Sequence, residues 1–291
     1  MSSTNDILRV CTYNCRSVKS SISEVAQLCA NSDLVLLQEH WLLPHELSSL
    51  NSIHSDFLAN GISAVDVSRD VLVGRPYGGT AILYRKKFAS VIRMVDTIDP
   101  RISCVTIDSN LGPIMIATVY MPVNTGDVEC YECFIDTSCR ILALYSESEA
   151  VHLIIAGDFN CQSGTKLCDL FYELIDDNGL VLSDCKRLAN VFTYCSDNGK
   201  NSSWIDHIVC SSAIDDCIQK VEPMYDYVTS DHVPLQIVFE GMCLTGHTPA
   251  KANLHKANYA FDWNKVDDNT ICTYQNRLDN ALATVLPHTH F

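Results

Sequence analysis

His152-Leu153-Ile154-Ile155-Ala156-Gly157-Asp158-Phe159-Asn160 is an apolar run that ends in a glycine, an acid and an amide. A short apolar run closed by turn residues reads as a strand buried on both faces. Working outward, strands are expected at Ile102–Ile107 and Ile114–Tyr120, with Asn110, Gly112 and Pro113 as the turn between them. A helix-like stretch follows at about Val128–Ser146, and a shorter one at Leu167–Ile175. Further strands are expected at Val191–Tyr194, Ile205–Cys210 and Val233–Phe239. Toward the N-terminus, Ile7–Tyr13 ends at Asn14, Leu34–Leu37 runs into Gln38-Glu39, and Thr80–Tyr84 forms another strand. Ser21-Ile22-Ser23-Glu24 has the form of a capping box, after which Val25, Ala26 and Cys29 repeat at helical spacing. This mixed, strand-rich order predicts an α/β domain of two sheets face to face with helices outside.

The polar residues gather at the strand ends. Asn14, Glu39, Asp158, Asn160, Asp206, Asp231 and His232 each lie at or beside the end of an apolar run. Four buried carboxylates are costly unless a cation pairs with them. A hard ion with open water positions, Mg²⁺ or Mn²⁺, meets that need with oxygen ligands, and metal-assisted attack of water on a phosphodiester is the matching chemistry. Each motif alone also has a structural reading: Gly157–Asn160 as a turn, Ser230-Asp231-His232 as a capped turn before a strand.

Bulk properties narrow the class. The 291 residues carry a formal net charge of −15, with 47% hydrophobic and 19% charged residues. That is ordinary globular composition, and the acidity counts against tight non-specific DNA binding. A bound cation would reverse the local field, and basic residues cluster at Arg85–Lys87 and Lys186–Arg187. No signal peptide or long apolar span is visible, so the expected compartment is nuclear or cytoplasmic, away from the membrane. Most of the fifteen cysteines sit in apolar stretches and read as small buried hydrophobes. Cys130-x-x-Cys133 with Cys139 lacks a second pair at zinc-finger spacing.

Taken together, Thr12-Tyr13-Asn14, Leu37-Gln38-Glu39, Val119-Tyr120-Met121-Pro122, Gly157–Asn160, Trp204-Ile205-Asp206-His207 and Ser230-Asp231-His232 resemble the endonuclease/exonuclease/phosphatase superfamily. The resemblance covers roughly residues 7–240. It implies a deoxyribonuclease I-like four-layer α/β sandwich. It implies Glu39 as the primary metal ligand with Asn14 beside it and Asp231 as a further ligand or orienter. Asp158 would position or deprotonate the attacking water, and Asn160 would orient it or the phosphate. Asp206 would hold His232 in one tautomer, His232 would contact the phosphate, and Tyr120 would donate its hydroxyl to a phosphate oxygen.

Within that superfamily, Leu37–Leu42, Gly78–Tyr84, Phe192-Thr193-Tyr194 and Ser203–Ile208 are similar to endonuclease domains of non-LTR (LINE-type) retrotransposons. Deoxyribonuclease I-type members carry histidine where Tyr120 stands. By the resemblance, Thr193 would lie beside the substrate groove, with Ser230 and Asn198 as further substrate-binding residues. Cys195–Ser203 reads as a hairpin with Asn198-Gly199 as its tight turn. Val123 departs from the apurinic-site enzymes, which usually carry asparagine after Tyr-x-Pro. Residues 242–291 are expected to be a linker plus an amphipathic helix, Phe261-Asp262-Trp263 included, resembling the segment before a reverse transcriptase. The expected activity is Mg²⁺- or Mn²⁺-dependent nicking of DNA that leaves a 3'-hydroxyl primer. DNA is the expected partner, with a reverse transcriptase encoded elsewhere or lost. The alternatives are a phosphatase or lipid phosphodiesterase of the same fold, and an inactive transposon-derived binding module.

Overall fold

The computed structural model describes residues 7–66 and 74–244. The first sheet contains β1 (Ile7–Asn14), β2 (Leu34–Gln38), β3 (Phe57–Ile62) and β4 (Thr80–Arg85) from the N-terminal half. The second begins with β5 (Ile92–Val95), β6 (Ile102–Ser109), β7 (Gly112–Tyr120), β8 (His152–Asp158) and β9 (Leu180–Leu182). A two-stranded ribbon, β10 (Tyr194–Cys195) and β11 (Ser202–Ser203), precedes β12 (Asp206–Ser211), β13 (Ile218–Pro223) and β14 (Leu235–Glu240). Helices α1 (Ile22–Asn31), α2 (Val128–Glu147), α3 (Lys166–Asp177), α4 (Ser183–Arg187) and α5 (Ser212–Asp215) connect them. The strand orders are β13-β14-β1-β2-β4-β3 and β5-β6-β7-β8-β12-β9. Only β1/β2 and β7/β8 are parallel, so both sheets are mixed, as expected.

The period-two alternation of each strand builds the layers. Leu8, Val10, Leu34, Leu36 and Ile82 of the first sheet pack against Ile114, Ile116, Ile154, Ala156 and Ile208 of the second. On the outer faces, Cys11, Val35 and Leu83 meet Val25 and Leu28 of α1, while Met115, Leu153, Ile155 and Val209 meet Phe134 of α2 and Phe171 of α3. Continuing the inner parity to the strand ends gives Asn14, Gln38, Tyr120, Asp158 and Asp206. Those residues therefore meet where the central core gives out, which places the site.

Gly157 shows why this juncture needs a residue without a side chain. It lies opposite Val119 with φ +155°, and a Cβ there would stand 2.1 Å from the Val119 carbonyl oxygen. The capping box does not form. Ser21 donates to the Cys15 carbonyl (2.7 Å), and Glu24 leaves its helix to accept the backbone N–H groups of Val228 (2.8 Å) and Thr229 (3.1 Å). The carboxylate is spent on a distant loop instead of its own helix end.

The basic clusters are also committed. Lys87 reaches Asp33, Arg85 donates to the Ser32 and Ala30 carbonyls, and both Lys186 and Arg187 pair with Asp215. They bind acids and helix ends of the fold itself. Cys130 is buried, Cys133 half-buried and Cys139 exposed, and all three are free thiols. Among the described residues no helix is long and apolar enough to cross a membrane. The chain remains packed beyond Gly241: Met242 is buried in the central core, and Cys243 accepts the Asn110 backbone N–H and donates its own N–H to the Asn110 side-chain oxygen. The expected helix within 242–291 lies outside the described residues.

Candidate active site

Asn14, at the end of β1, is fully buried and sits at the centre. Its Nδ2 donates to Glu39 Oε1 (3.0 Å) and Asp158 Oδ2 (2.9 Å), and lies 3.4 Å from His232 Nε2. One amide thus gathers groups from both sheets. Glu39 follows β2 in a left-handed conformation (φ 53°), as do Arg16 (φ 40°), Ser17 (φ 89°), Trp41 (φ 55°) and Asn160 (φ 52°). Such conformations are unfavourable for residues with a Cβ and persist only when the surroundings hold them. Here the backbone N–H groups of Ser17 and Trp41 bond the carbonyls of Glu39 (2.8 Å) and Gly78 (3.1 Å). Gly79 permits this: its own φ is +82°, and a Cβ would lie 2.5 Å from the His40 ring.

Asp158 and His232 form the buried heart of the cleft, with Asp206 behind them. Asp158 Oδ1 accepts the Asn160 backbone N–H (3.0 Å), and Asn160 Nδ2 donates to the Met121 carbonyl (2.9 Å). His232 Nδ1 pairs with Asp206 Oδ2 at 2.9 Å, leaving Nε2 facing Asp158 Oδ2 at 3.7 Å. Burial pushes the Asp158 carboxyl well above the usual carboxylate range, although His232 pulls it down. For His232 burial favours the neutral ring, but Asp206 and Asp158 together outweigh it and raise its affinity for a proton. Tyr120 is half-buried beside Glu39. Burial raises its hydroxyl pKa, and the charges of Glu39 and Asp158 raise it further. It is therefore a neutral donor.

The remaining expected residues are placed as follows. Asp231 does not bond Glu39; it accepts Arg16 Nη1 (3.0 Å), which also pairs with Asp197 (2.7 Å). Ser230 Oγ donates to the Asn14 carbonyl (2.7 Å) and accepts the His232 N–H (3.2 Å), so it shapes the turn that carries the histidine. Thr193 is fully buried, and its hydroxyl accepts the N–H groups of Ile205 and Asp206 (both 3.0 Å), which fixes the start of β12. Asn198 is exposed and caps the ribbon loop by accepting the Lys200 N–H (3.0 Å). That ribbon pairs at Tyr194↔Ser203 and Cys195↔Ser202, and the Ser196 N–H bonds the Asn201 carbonyl (2.9 Å), so residues 197–200 make the turn, wider than a two-residue Asn-Gly turn. The Asp197–Arg16 ion pair joins it to the site.

Sequence reasoning missed Trp41 and Arg16. Trp41 Nε1 donates to Glu39 Oε2 (2.9 Å), so both oxygens of that carboxylate are held. Arg16 had a readable signal, being two residues past Asn14. It also missed a second acid–histidine pair: His207 Nδ1 meets Asp184 Oδ2 at 2.8 Å on the outer face of the second sheet. Asp184, His207 and Cys185 bring possible ligand atoms within 4.8 Å of one another, and Asp184 also accepts the Ile208 N–H (2.9 Å), which ties it to β12.

The donor set at the cleft suits a hard divalent cation. Glu39 and Asp158 supply carboxylate oxygens and Asn14 an amide oxygen, Oδ1, that here accepts the Arg16 N–H (3.2 Å), and Glu39 has no Lys or Arg ion pair among the described residues. Asp158, Asp206 and His232 likewise place ligand-type atoms within 4.8 Å of one another.

The model of the endonuclease/exonuclease/phosphatase family matches residues 11–232. No curated protein sequence matches the chain. Among solved structures, a 3' phosphatase from Neisseria bound to product DNA hairpin aligns with TM-score 0.63 and 16% identity, over 80% of this chain and 99% of that one. The AP endonuclease LMAP from Leishmania major gives TM-score 0.63 and 15% identity, over 81% and 88%. The endonuclease domain of TRAS1, a telomere-specific non-LTR retrotransposon, gives TM-score 0.58 and 16% identity, over 80% and 98%. At such identities the structural likeness establishes the fold; the family model, which spans most of the chain from Cys11 to His232, establishes descent. The chain belongs to the endonuclease/exonuclease/phosphatase family, a group of metal-dependent hydrolases that act on phosphate esters.

Proposed function

We propose that the protein is a divalent-metal-dependent endonuclease that nicks DNA by water attack, of the kind used by non-LTR retrotransposons to leave a 3'-hydroxyl primer. One observation carries this reading: a buried acid, Asp158, faces the free nitrogen of an Asp206-oriented histidine across a gap of 3.7 Å, with Glu39 joined to the same amide. That arrangement separates an acid able to accept a proton from a cationic donor able to meet a phosphate oxygen.

In this mechanism Asp158 takes a proton from water, held in place by its bonds to Asn160 and Asn14. The protonated His232, turned by Asp206, donates Nε2–H to the phosphate as negative charge grows there. Tyr120 donates a second hydrogen bond. Glu39 and Asn14 would hold Mg²⁺ or Mn²⁺, with Asp231 as a further oxygen donor, and the ion would offset the same developing charge. Scission at the 3' oxygen leaves the hydroxyl that a polymerase, such as a partner reverse transcriptase, can extend. The AP endonuclease and the TRAS1 domain among the structural neighbours support a nuclease reading over a lipid phosphodiesterase.

The test is conversion of supercoiled plasmid to the open-circular form by the full chain, with Mg²⁺, with Mn²⁺ and with EDTA. Nicking in both metal arms and none in EDTA is the expected result. Hydrolysis of a phosphomonoester without any nicking would reassign the site to a phosphatase.

A further inference from the structure

A second cavity opens beside the catalytic histidine. It has a volume of about 360 Å³, at the lower end of the roughly 300–1,000 Å³ common for small-ligand pockets. Ser230, Asp231 and His232 form one wall, and Phe192, Tyr225 and Val228 line the rest. The two rings lie 5.0 Å apart, tilted by 44°, and are 36% and 45% exposed; Val228 is 76% exposed. Three large apolar side chains are thus left open around one cavity, and a clustered apolar patch, unlike single exposed residues, marks a binding surface.

The walls are held from behind. Glu24 accepts the N–H groups of Val228 and Thr229, Thr193 accepts from Ile205 and Asp206, and the backbones of residues 193–195 and 231–233 bond to each other (Cys195 N–H to Asp231 O 2.8 Å; Val233 N–H to Thr193 O 2.7 Å). Of these residues only Asp206, Asp231 and His232 have a role in the hydrolysis itself. The cavity is therefore a preformed aromatic pocket that shares a wall with the phosphate-facing histidine.

The geometry points to a nucleobase site: an unpaired base of the strand being cut, next to the scissile phosphate, stacks on Phe192 and Tyr225. This rests on the DNA-nicking reading above and specifies its substrate class as DNA with a splayed or unpaired nucleotide at the cut. Three features support it. The occupant must be continuous with a phosphate at His232. It must present a flat apolar face to two rings. It must also suit a rim whose Asp231 is already paired with Arg16, which leaves no free cation there among the described residues for a second phosphate and suits a neutral base. Base–aromatic stacking is indifferent to sequence because every base has a π-face, so selection would act on pairing state. A base already unpaired avoids the unstacking cost.

The test uses the full chain carrying Asp158→Asn, to hold DNA uncut, with 2-aminopurine placed beside the expected cut in a duplex with that base unpaired or paired. Binding should quench the unpaired probe several-fold. Tyr225→Ala and Phe192→Ala should remove the quench and weaken binding of the unpaired duplex about tenfold, leaving the paired duplex unchanged, while Tyr225→Phe should behave as the parent. Both positions are exposed, so thermal unfolding of the variants should match the parent. DNA binding with no change in fluorescence, or equal affinities in Tyr225→Ala and parent, would overturn the base site alone. Absence of DNA binding by every form would overturn the DNA-nicking reading as well. An unfolding temperature lowered by Tyr225→Ala, with the quench intact, would show the rings to be a covered protein surface.

Discussion

Asp206 and His207 are adjacent in β12, yet they belong to two acid–histidine pairs on opposite faces of the same sheet. Asp206 points inward and holds His232 at 2.9 Å; His207 points outward and is held by Asp184 at 2.8 Å. The bonds are nearly equal in length, and the surroundings differ. Around His232 lie Asp158, Asn14 and the cleft, and its second nitrogen faces another carboxylate. Around His207 lie Phe171 (5.3 Å), Trp204 (6.0 Å) and Phe159 (6.1 Å), and its acid is tied to the sheet by the Ile208 N–H. An oriented histidine becomes reactive by what its free nitrogen meets. The same pair closed in by rings is a brace.

That contrast is most sharply broken by His232→Ala. Nicking by the folded fraction should fall by about 10²-fold or more, as loss of a charge-stabilising donor does, a drop far larger than any change in the folded population. Asp158→Ala and Glu39→Ala should do the same. Parental rates in His232→Ala, measured on supercoiled plasmid, would remove the proposed mechanism.

The converse expectation is that His207→Ala costs stability first. It empties a site packed by three rings and leaves Asp184 buried without its partner, a loss of about 2–4 kcal/mol. Urea unfolding should show the shift, and residual nicking in the folded fraction should stay within a few-fold of the parent. A 10²-fold fall in nicking at full stability would make His207 a participant in catalysis.

The strand ends of this comparison could be read before the structure because alternation is a local property. Ala156 and Asp158, like Ile208 and Asp206, share a parity, so an apolar inner face predicts an inward acid two residues on. Edge strands were harder to see. Phe57–Ile62 holds Asn60 and Gly61 and is half-buried for most of its length, and Ile218–Pro223 exposes Gln219, Lys220 and Glu222 and loses its alternation at a register shift after Ile218. Asp184 carried no signal, since its role depends on a five-residue helix laying it against β12. Ser21 to Glu24 misled for a related reason: the local bonds compete with distant ones, and the distant ones hold the loop before Asp231.

A smaller effect separates the two possible ends of the catalytic unit. Truncation after Leu244 should leave nicking and cooperative unfolding intact. Truncation after Gly241 removes buried Met242 and the Cys243–Asn110 bonds, costing about 2–4 kcal/mol. Equal stability of the two truncated chains in urea would show that residues 242–244 add nothing to the core.

The smallest effect on rate should come from the ribbon loop. Replacing Asn198–Ser202 with a turn of equal length should shift which plasmid sites are nicked, because a loop at the rim can favour DNA that deforms easily. Total cleavage should change by less than a few-fold. Superimposable maps of nick positions would reduce the loop to a surface turn, tied to the site only by Asp197 and Arg16.

Asn14 reaches Asp158 across 144 positions of chain and His232 across 218, and β1 bonds to β14, the last strand described. Contacts of such sequence separation form late and slowly, because the loop entropy must be lost before the contact returns anything. A chain still emerging from the ribosome therefore holds Glu39 and Asp158 but no histidine to face them. Synthesis itself delays completion of the site until β14 has been made and zipped against β1.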